Sequence, residues 1–358
     1  MNTFGKRISV TVFGESHAEC IGVTVDGLPA GTPVDTDYIQ HFLSLRAPGQ
    51  SDTATPRREA DTFELLSGVR NGKTVGGSLC AIIRNTNTRS GDYDELSGKP
   101  RPSHADYPAM VKFGDAIDRR GGGQFSGRLT APLCLVGGIL LPLLEQKGIH
   151  MAAHIARIGH VCDTPFDPLA EETERMQHLN ESSFAVIDPE SEECMKRCIR
   201  EAASVGDSVG GHIEAKITGL PVGTGGGMFD GVENVLSKAL FAVPAVKGIE
   251  FGSGFEGCTL NGSQYNDAYY YDETGTVRTR TNHAGGICGG MATGMPVLFR
   301  VAVKPTPSIS LEQETVDLTN HQNTTIAIKG RHDPCILPRA VPVIRAVSAL
   351  AVYELLDE

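Results

Sequence analysis

The chain reads as a mixed α/β fold, and three observations predict it. Short β-branched runs bounded by Gly, Pro or polar residues recur at 6–13, 21–25, 149–158, 246–251 and 296–303. Longer helical runs are interspersed with them, at 35–45, 127–146, 190–203 and 340–356. A chain of 358 residues can bury a large core, as one big domain or two.

Taken in order, residues 6–13 alternate as a strand does (Ile8, Val10, Val12) and end in Gly14-Glu15-Ser16-His17. With a second strand at 21–25, this places Ser16 and His17 at a strand end. Helix 35–45 takes Asp35 or Thr36 as its cap. Residues 45–61 have no apolar period and hold Pro, Gly and arginines, which predicts a long loop of the kind that often carries function. Strand character resumes at 62–69 and 74–83 across a Gly-Lys turn, and 85–107 is a second polar loop, with Arg101, His104 and Asp106. Helix 127–146 keeps its character despite Pro132 and Pro142. Residues 163–181 read as a peripheral, acid-rich loop with a short helix. Gly206–Gly211 opens a strand at 212–218, and a triple glycine at 225–227 precedes a helix near 232–241. Residues 252–279, rich in Gly and Tyr, read as a mobile, lid-like loop. An amphipathic helix at 340–356 closes the chain.

Composition excludes several classes. The formal net charge of −11 repels nucleic acid and anionic membranes. No eighteen apolar residues run uninterrupted, and the first residues lack a signal-peptide core. Nine scattered cysteines without a Cys-x-x-Cys pair fit reduced thiols in the cytoplasm. Cys194 and Cys198 have no third ligand at metal-like spacing and no His-Glu-x-x-His occurs, so no metal site is expected.

The stretch Asp118-Arg119-Arg120-Gly121-Gly122-Gly123-Gln124-Phe125-Ser126-Gly127-Arg128 organises the rest. Three glycines let the backbone turn sharply and approach a ligand. Feeding a helix, such a turn can offer N–H groups to an anion, with arginines alongside. An ordinary tight loop with solvated arginines would look the same. His17, His104 and His332 sit in polar, small-residue settings suited to acid–base chemistry. Gly206-Asp207-Ser208-Val209-Gly210 matches a nucleophile elbow in letters but runs helix-then-strand, the reverse of what an elbow needs. Gly68–Thr74 falls one residue short of a Walker A loop, and 121–123 lacks dinucleotide spacing. The residues alone describe an enzyme with arginine-rich pockets for an anionic small molecule and histidine acid–base chemistry.

Taken together, the motifs resemble those of the chorismate synthase family along nearly the whole chain. They are Gly14-Glu15-Ser16-His17, Arg46-x-Pro48-Gly49, Arg57-Arg58-Glu59-x-Asp61 and Arg101-Pro102-x-His104-Ala105-Asp106-Tyr107. Further along come Arg120-Gly121-Gly122-Gly123-x-x-Ser126-x-Arg128, Gly206-Asp207-Ser208-x-Gly210-Gly211, Asn282-His283-Ala284-Gly285-Gly286, Lys304-Pro305-Thr306 and Arg331-His332-Asp333-Pro334.

The resemblance implies an α/β fold of the α+β type over 1–358 as one domain: a helical core between antiparallel sheets, assembled as a homotetramer. It implies a carbon–oxygen lyase of the shikimate pathway to aromatic amino acids. The reaction is the 1,4-anti-elimination of phosphate from 5-enolpyruvylshikimate 3-phosphate to chorismate. Reduced FMN is required without net redox change, and NADPH enters only as an indirect reductant. By resemblance His17 protonates the departing phosphate, His104 stands near the flavin N1, and Asp333 with Ser16 assists proton removal. Flavin contacts fall on Gln124, Phe125, Ser126, Pro244, Ala245, Gly289, Lys304, Pro305, Thr306, Pro307, Ser308 and Arg331. Substrate contacts fall on Arg46, Arg57, Arg128 and Arg339, which suits a ligand with two carboxylates and a phosphate. Leu45, Ala47, Asp52 and Gln124 stand where many members carry basic residues. This removes positive charge near the expected ligand entrance and leaves a nicotinamide site unassigned. The rival readings are a flavin-binding sensor and an NADPH-dependent flavin reductase.

Overall fold

The computed structural model describes residues 2–49, 60–85, 98–118, 120–328 and 333–356. Two five-stranded sheets, antiparallel at every pairing, enclose a layer of helices. The first runs in the order Thr3–Phe4, Ser9–Gly14, Cys20–Asp26, Leu79–Arg84, Phe63–Ser67. The second runs Val246–Phe251, Val297–Val303, Gly211–Thr218, His150–Ile158, Val161–Cys162. Alternation explains the inner faces: Ile21, Val23 and Val25 of one strand are all fully buried.

Between the sheets, Thr130–Glu145 touches Cys20–Asp26 and Leu79–Arg84 on one side and His150–Ile158 on the other. The C-terminal helix Leu337–Leu355 lies along it and packs on His150–Ile158 and Gly211–Thr218. Thr36–Arg46, capped by the Asp35 carboxylate, and Val232–Leu240 complete the layer. Gly127–Glu145 is long and apolar enough to cross a membrane, but 72% of its most apolar window is buried inside the fold, which accounts for its composition.

Four expectations change. The C-terminal helix is buried on nearly every side rather than amphipathic, because it sits between layers. Residues 252–279 fold into two short helices and the hairpin Tyr269–Tyr271/Val277–Thr279. Asp267 ties them down by accepting from the His283 and Ala284 N–H groups, so this stretch is built structure rather than a lid. The stretch from 163 is not peripheral at its start: the Asp163 carboxylate is fully buried against His154 and accepts from the Ile187 and Asp188 N–H groups. The Gly-Lys turn is in fact Asn71-Gly72, with Lys73 already in a strand, and it closes a separate small ribbon, Val69–Arg70 with Lys73–Thr74.

Two glycines set the helix spacing. A Cβ at Gly137 would stand 2.4 Å from the Ala346 Cβ and 2.7 Å from its Cα, and one at Gly138 would stand 3.2 Å from the Ile39 Cα. The helices meet backbone to backbone, so a side chain there must push them apart. Gly137→Val is expected to lower the unfolding free energy by about 2 kcal/mol or more through overpacking. In the same denaturant titrations Gly262→Ala, whose Cβ would meet nothing within 4 Å, should stay within about 0.5 kcal/mol.

Candidate active site

The triple glycine is the hinge of the site. Gly121, Gly122 and Gly123 have φ of +59°, +92° and +51°, a left-handed run that side chains resist. The turn is also hemmed in. A Cβ at Gly121 would lie 2.4 Å from the His17 Cε1 and 2.6 Å from the Ser16 Oγ, while one at Gly122 would lie 3.2 Å from the His104 Nε2. One bare turn therefore separates two imidazoles that are far apart in sequence. The buried Ser16 is held there by its N–H, which donates to the Gly123 carbonyl at 3.2 Å. Hydrogen bonds from Arg120 hold the Asp118 carboxyl below its usual range, with a smaller contribution from the charge of nearby His17.

Beneath the turn lies a buried ion cluster. The fully buried Asp61 carboxylate accepts from Arg46 Nη1 at 2.6 Å and from Arg128 Nη1. Arg46 also donates through Nε to the Thr130 Oγ1 at 3.1 Å and through Nη2 to the Gly127 carbonyl at 3.0 Å. Arg128 Nε donates to the Asn85 Oδ1 at 3.0 Å, and the Asn85 amide donates to the Glu15 and Ala18 carbonyls, which ties the cluster to the His17 loop. Arg339 donates to the Arg46 carbonyl and to the Asp333 carboxylate. Burial alone would raise the Asp61 carboxyl, but the charges and hydrogen bonds of Arg46 and Arg128 outweigh it and hold it low.

A second cluster holds His104. Asp106 accepts from Arg101 through the backbone N–H, Nε and Nη2, and its Oδ1 lies 2.6 Å from His104 Nδ1. Arg101 Nη1 reaches the Ser308 Oγ at 3.3 Å, and Lys304 Nζ donates to the Ser103 carbonyl, so the 304–308 loop lies against this cluster. The Lys304 N–H in turn donates to the carbonyl of Ala245, a non-glycine residue at φ +75°. Burial, and less so Lys247, keeps the Lys304 ammonium below its ordinary value. Ser208 donates its hydroxyl to the Thr306 carbonyl at 2.7 Å, so the elbow-like string is a brace for this loop.

The structure thus gathers Ser16, His17, His104, Gln124, Ser126, Arg46, Arg128, Asp333, Arg339, Ala245 and 304–308 into one connected region. Phe125 stays 39% exposed, its ring 6.4 Å from that of Phe113. Gly289 sits apart, in the Ile287–Cys288/Met291–Ala292 hairpin against Gly231. Arg57, Arg331, His332 and Asp52 lie outside the described residues. Three findings differ from the sequence reading. The glycine turn reaches the helix Thr130–Glu145 through a 3₁₀ turn, Gly127–Leu129, whose Arg128 N–H already donates to the Ser126 Oγ. Arg46 is buried with all three guanidinium nitrogens engaged inside the chain. Ala47 is 1% exposed and Leu45 packs on the core, so neither faces an entrance. Sequence reasoning did not single out Asp61, Asn85, Arg101 or Asp106 as parts of the site. The signal for two of them was available: an acid just after the arginine pair, and one two residues after His104.

A family model described as chorismate synthase matches residues 8–356. The chain belongs to the chorismate synthase family. It is 43% identical to a chorismate synthase of Dehalococcoides mccartyi over 99% of this chain and 96% of that one. It is 42% identical to one of Korarchaeum cryptofilum, over 98% and 96% of the two chains. A solved structure titled as the crystal structure of chorismate synthase aligns with a TM-score of 0.75 at 26% identity, over 98% of this chain and 92% of that one.

In this family member the Asp61 centre should be indispensable. Asp61→Asn removes the buried carboxylate that Arg46 and Arg128 share and is expected to cost about 3–5 kcal/mol of unfolding free energy. The wild-type contribution is complete above the unfolded carboxyl value of about 4 and disappears as pH falls through the lower folded value. Denaturant titrations below pH 4 should therefore show a steeper loss of stability for wild type than for the variant.

Proposed function

We propose that the chain catalyses the 1,4-anti-elimination of phosphate from 5-enolpyruvylshikimate 3-phosphate to chorismate, the shikimate-pathway step toward aromatic amino acids, with reduced FMN as cofactor. One observation carries the reading: His17 and His104 flank a single glycine turn, beside an arginine cluster, in a member of the chorismate synthase family. The residues present fit the flavin. Thr306 has a buried hydroxyl with no partner among the described residues, in a loop that also offers Lys304 and Ser308, and the missing side chain at Gly122 leaves room against His104. Residues 124–126, 244–245, 304–308 and Arg331 would hold it, while Gly289 lies outside this set. Reduced flavin, when bound, supplies electron density that eases C–O cleavage and regains it afterwards.

The protein's part is binding and proton handling. Arg128 and Arg339 present guanidinium edges for the anionic substrate, Arg57 joining from the loop outside the described residues, while Arg46 supports them from below. His17 is the acid for the departing phosphate, and Asp333, with Ser16, receives the proton that the substrate gives up. In this proposal the flavin arrives already reduced, NADPH acting only through another enzyme. A homotetramer would give the exposed Val222, Met228, Phe229 and Met291 apolar partners. All nine cysteines are free thiols, as suits the cytoplasm.

Anaerobic assay with dithionite-reduced FMN should release phosphate and form chorismate in equal amounts, and His104→Ala should cut the rate about 10²–10⁴-fold while flavin stays bound. Absence of phosphate release under these conditions, or turnover on NADPH alone, would refute the proposal. NADPH oxidation without substrate would favour a flavin reductase.

A further inference from the structure

We propose that Asp106 is a positioning residue: it holds the Nδ1–H of His104, so that Nε2 is the ring atom presented to the glycine turn. Its catalytic meaning rests on the elimination proposed above, but the tautomer is a property of the chain by itself.

The distances decide where the proton sits. His104 Nδ1 and Asp106 Oδ1 are 2.6 Å apart. If Nδ1 were bare, its lone pair would face an oxygen lone pair at that separation, which is repulsive. A proton between them makes it a short, charge-assisted hydrogen bond. Arg101 Nη2 lies 3.1 Å from the same nitrogen, but it also lies 2.9 Å from Asp106 Oδ1. A guanidinium can only donate, so with Nδ1 already carrying a proton this nitrogen serves the carboxylate. Asp106 then accepts two hydrogen bonds on each oxygen, which leaves it no freedom to rotate away. Burial would raise this carboxyl, but its bonds to Arg101 and His104 hold it far below the usual range, so it stays an acceptor.

The rest of the ring is oriented by the same bond. Nε2 and Cε1 are the His104 atoms that a Gly122 Cβ would meet, at 3.2 and 3.3 Å. The edge opposite Asp106 therefore faces the bare backbone, where a ligand can approach. Arg101 is 5% exposed and bridges Asp106 to Ser308, so the clamp is fixed against the 304–308 loop as well. A purely structural role, neutralising Arg101 at the start of the helix Asp106–Phe113, would not depend on which ring nitrogen carries the proton.

The test is the tautomer in the full chain without flavin. Nitrogen-15-labelled histidine is followed by long-range proton–nitrogen correlation at a pH where the ring is neutral, with His104→Gln identifying the signals. Wild type is expected to show a protonated Nδ1 and a bare Nε2. Asp106→Ala should move the proton to Nε2, and Asp106→Asn should do the same, because the Arg101 N–H and Nε claim the amide oxygen and leave its NH2 to donate to Nδ1. In the phosphate-release assay Asp106→Ala should lower kcat about 10²-fold, with KM little changed. A wild-type His104 protonated on Nε2 overturns the inference, even if Asp106→Ala fails to fold, and so does an Asp106→Ala protein that keeps the proton on Nδ1. Loss of all chorismate formation with the Nδ1–H form intact would instead sink the elimination and leave the tautomer assignment standing.

Discussion

A single buried carboxylate shared by two buried guanidiniums anchors everything around the candidate site. Asp61 cannot shed its charge cheaply with Arg46 and Arg128 on either side, and neither arginine has water to turn to. Each partner also reaches outward. Arg46 holds the start of the central helix, Arg128 reaches the His17 loop through Asn85, and the Arg46 carbonyl receives Arg339 from the C-terminal helix. Three helices and two loops thus converge on one ion cluster, and the glycine turn is built directly above it.

Glycine serves two distinct purposes in this architecture. At Gly137 and Gly138 it sets how close helices come, which fixes the spacing of the central layer between the sheets. At 121–123 it supplies a backbone path that side chains resist and leaves room on both flanks. Two histidines drawn from different parts of the chain can then address one ligand position. Acid–base chemistry at a shared centre needs that proximity more than it needs any particular local sequence.

Much of the fold was legible because burial writes a period into the sequence. The strands at 21–25, 149–158, 246–251 and 296–303 and the helices at 35–45 and 190–203 form within a residue or two of where pattern places them, and the helix expected at 127–146 begins three residues later, at Thr130. Residues 252–279 were misread because Gly and Tyr without a period look like a loose loop. What orders them is Asp267, whose bonds run to a segment sixteen residues away. The histidines of the site were legible from motif. The carboxylates that hold the site together, Asp61 and Asp106, were not singled out, since a buried acid and a solvated one are the same letter until a partner folds onto it.

The charge balance shows what such a site can and cannot do. Among the described residues Arg46 and Arg128 pair with Asp61, and Arg339 pairs with Asp333, in a chain whose formal net charge is −11. Arg101 is matched by Asp106 and Arg120 by Asp118. Such pairs can hold an anionic ligand through directed hydrogen bonds as well as through bulk attraction. Paired guanidiniums suit that role, because their partners fix where the free N–H edges point. The absence of basic residues at positions 45 and 47 fits the same logic. Both side chains pack inward, and a charge placed there would add a burial cost before it added any affinity.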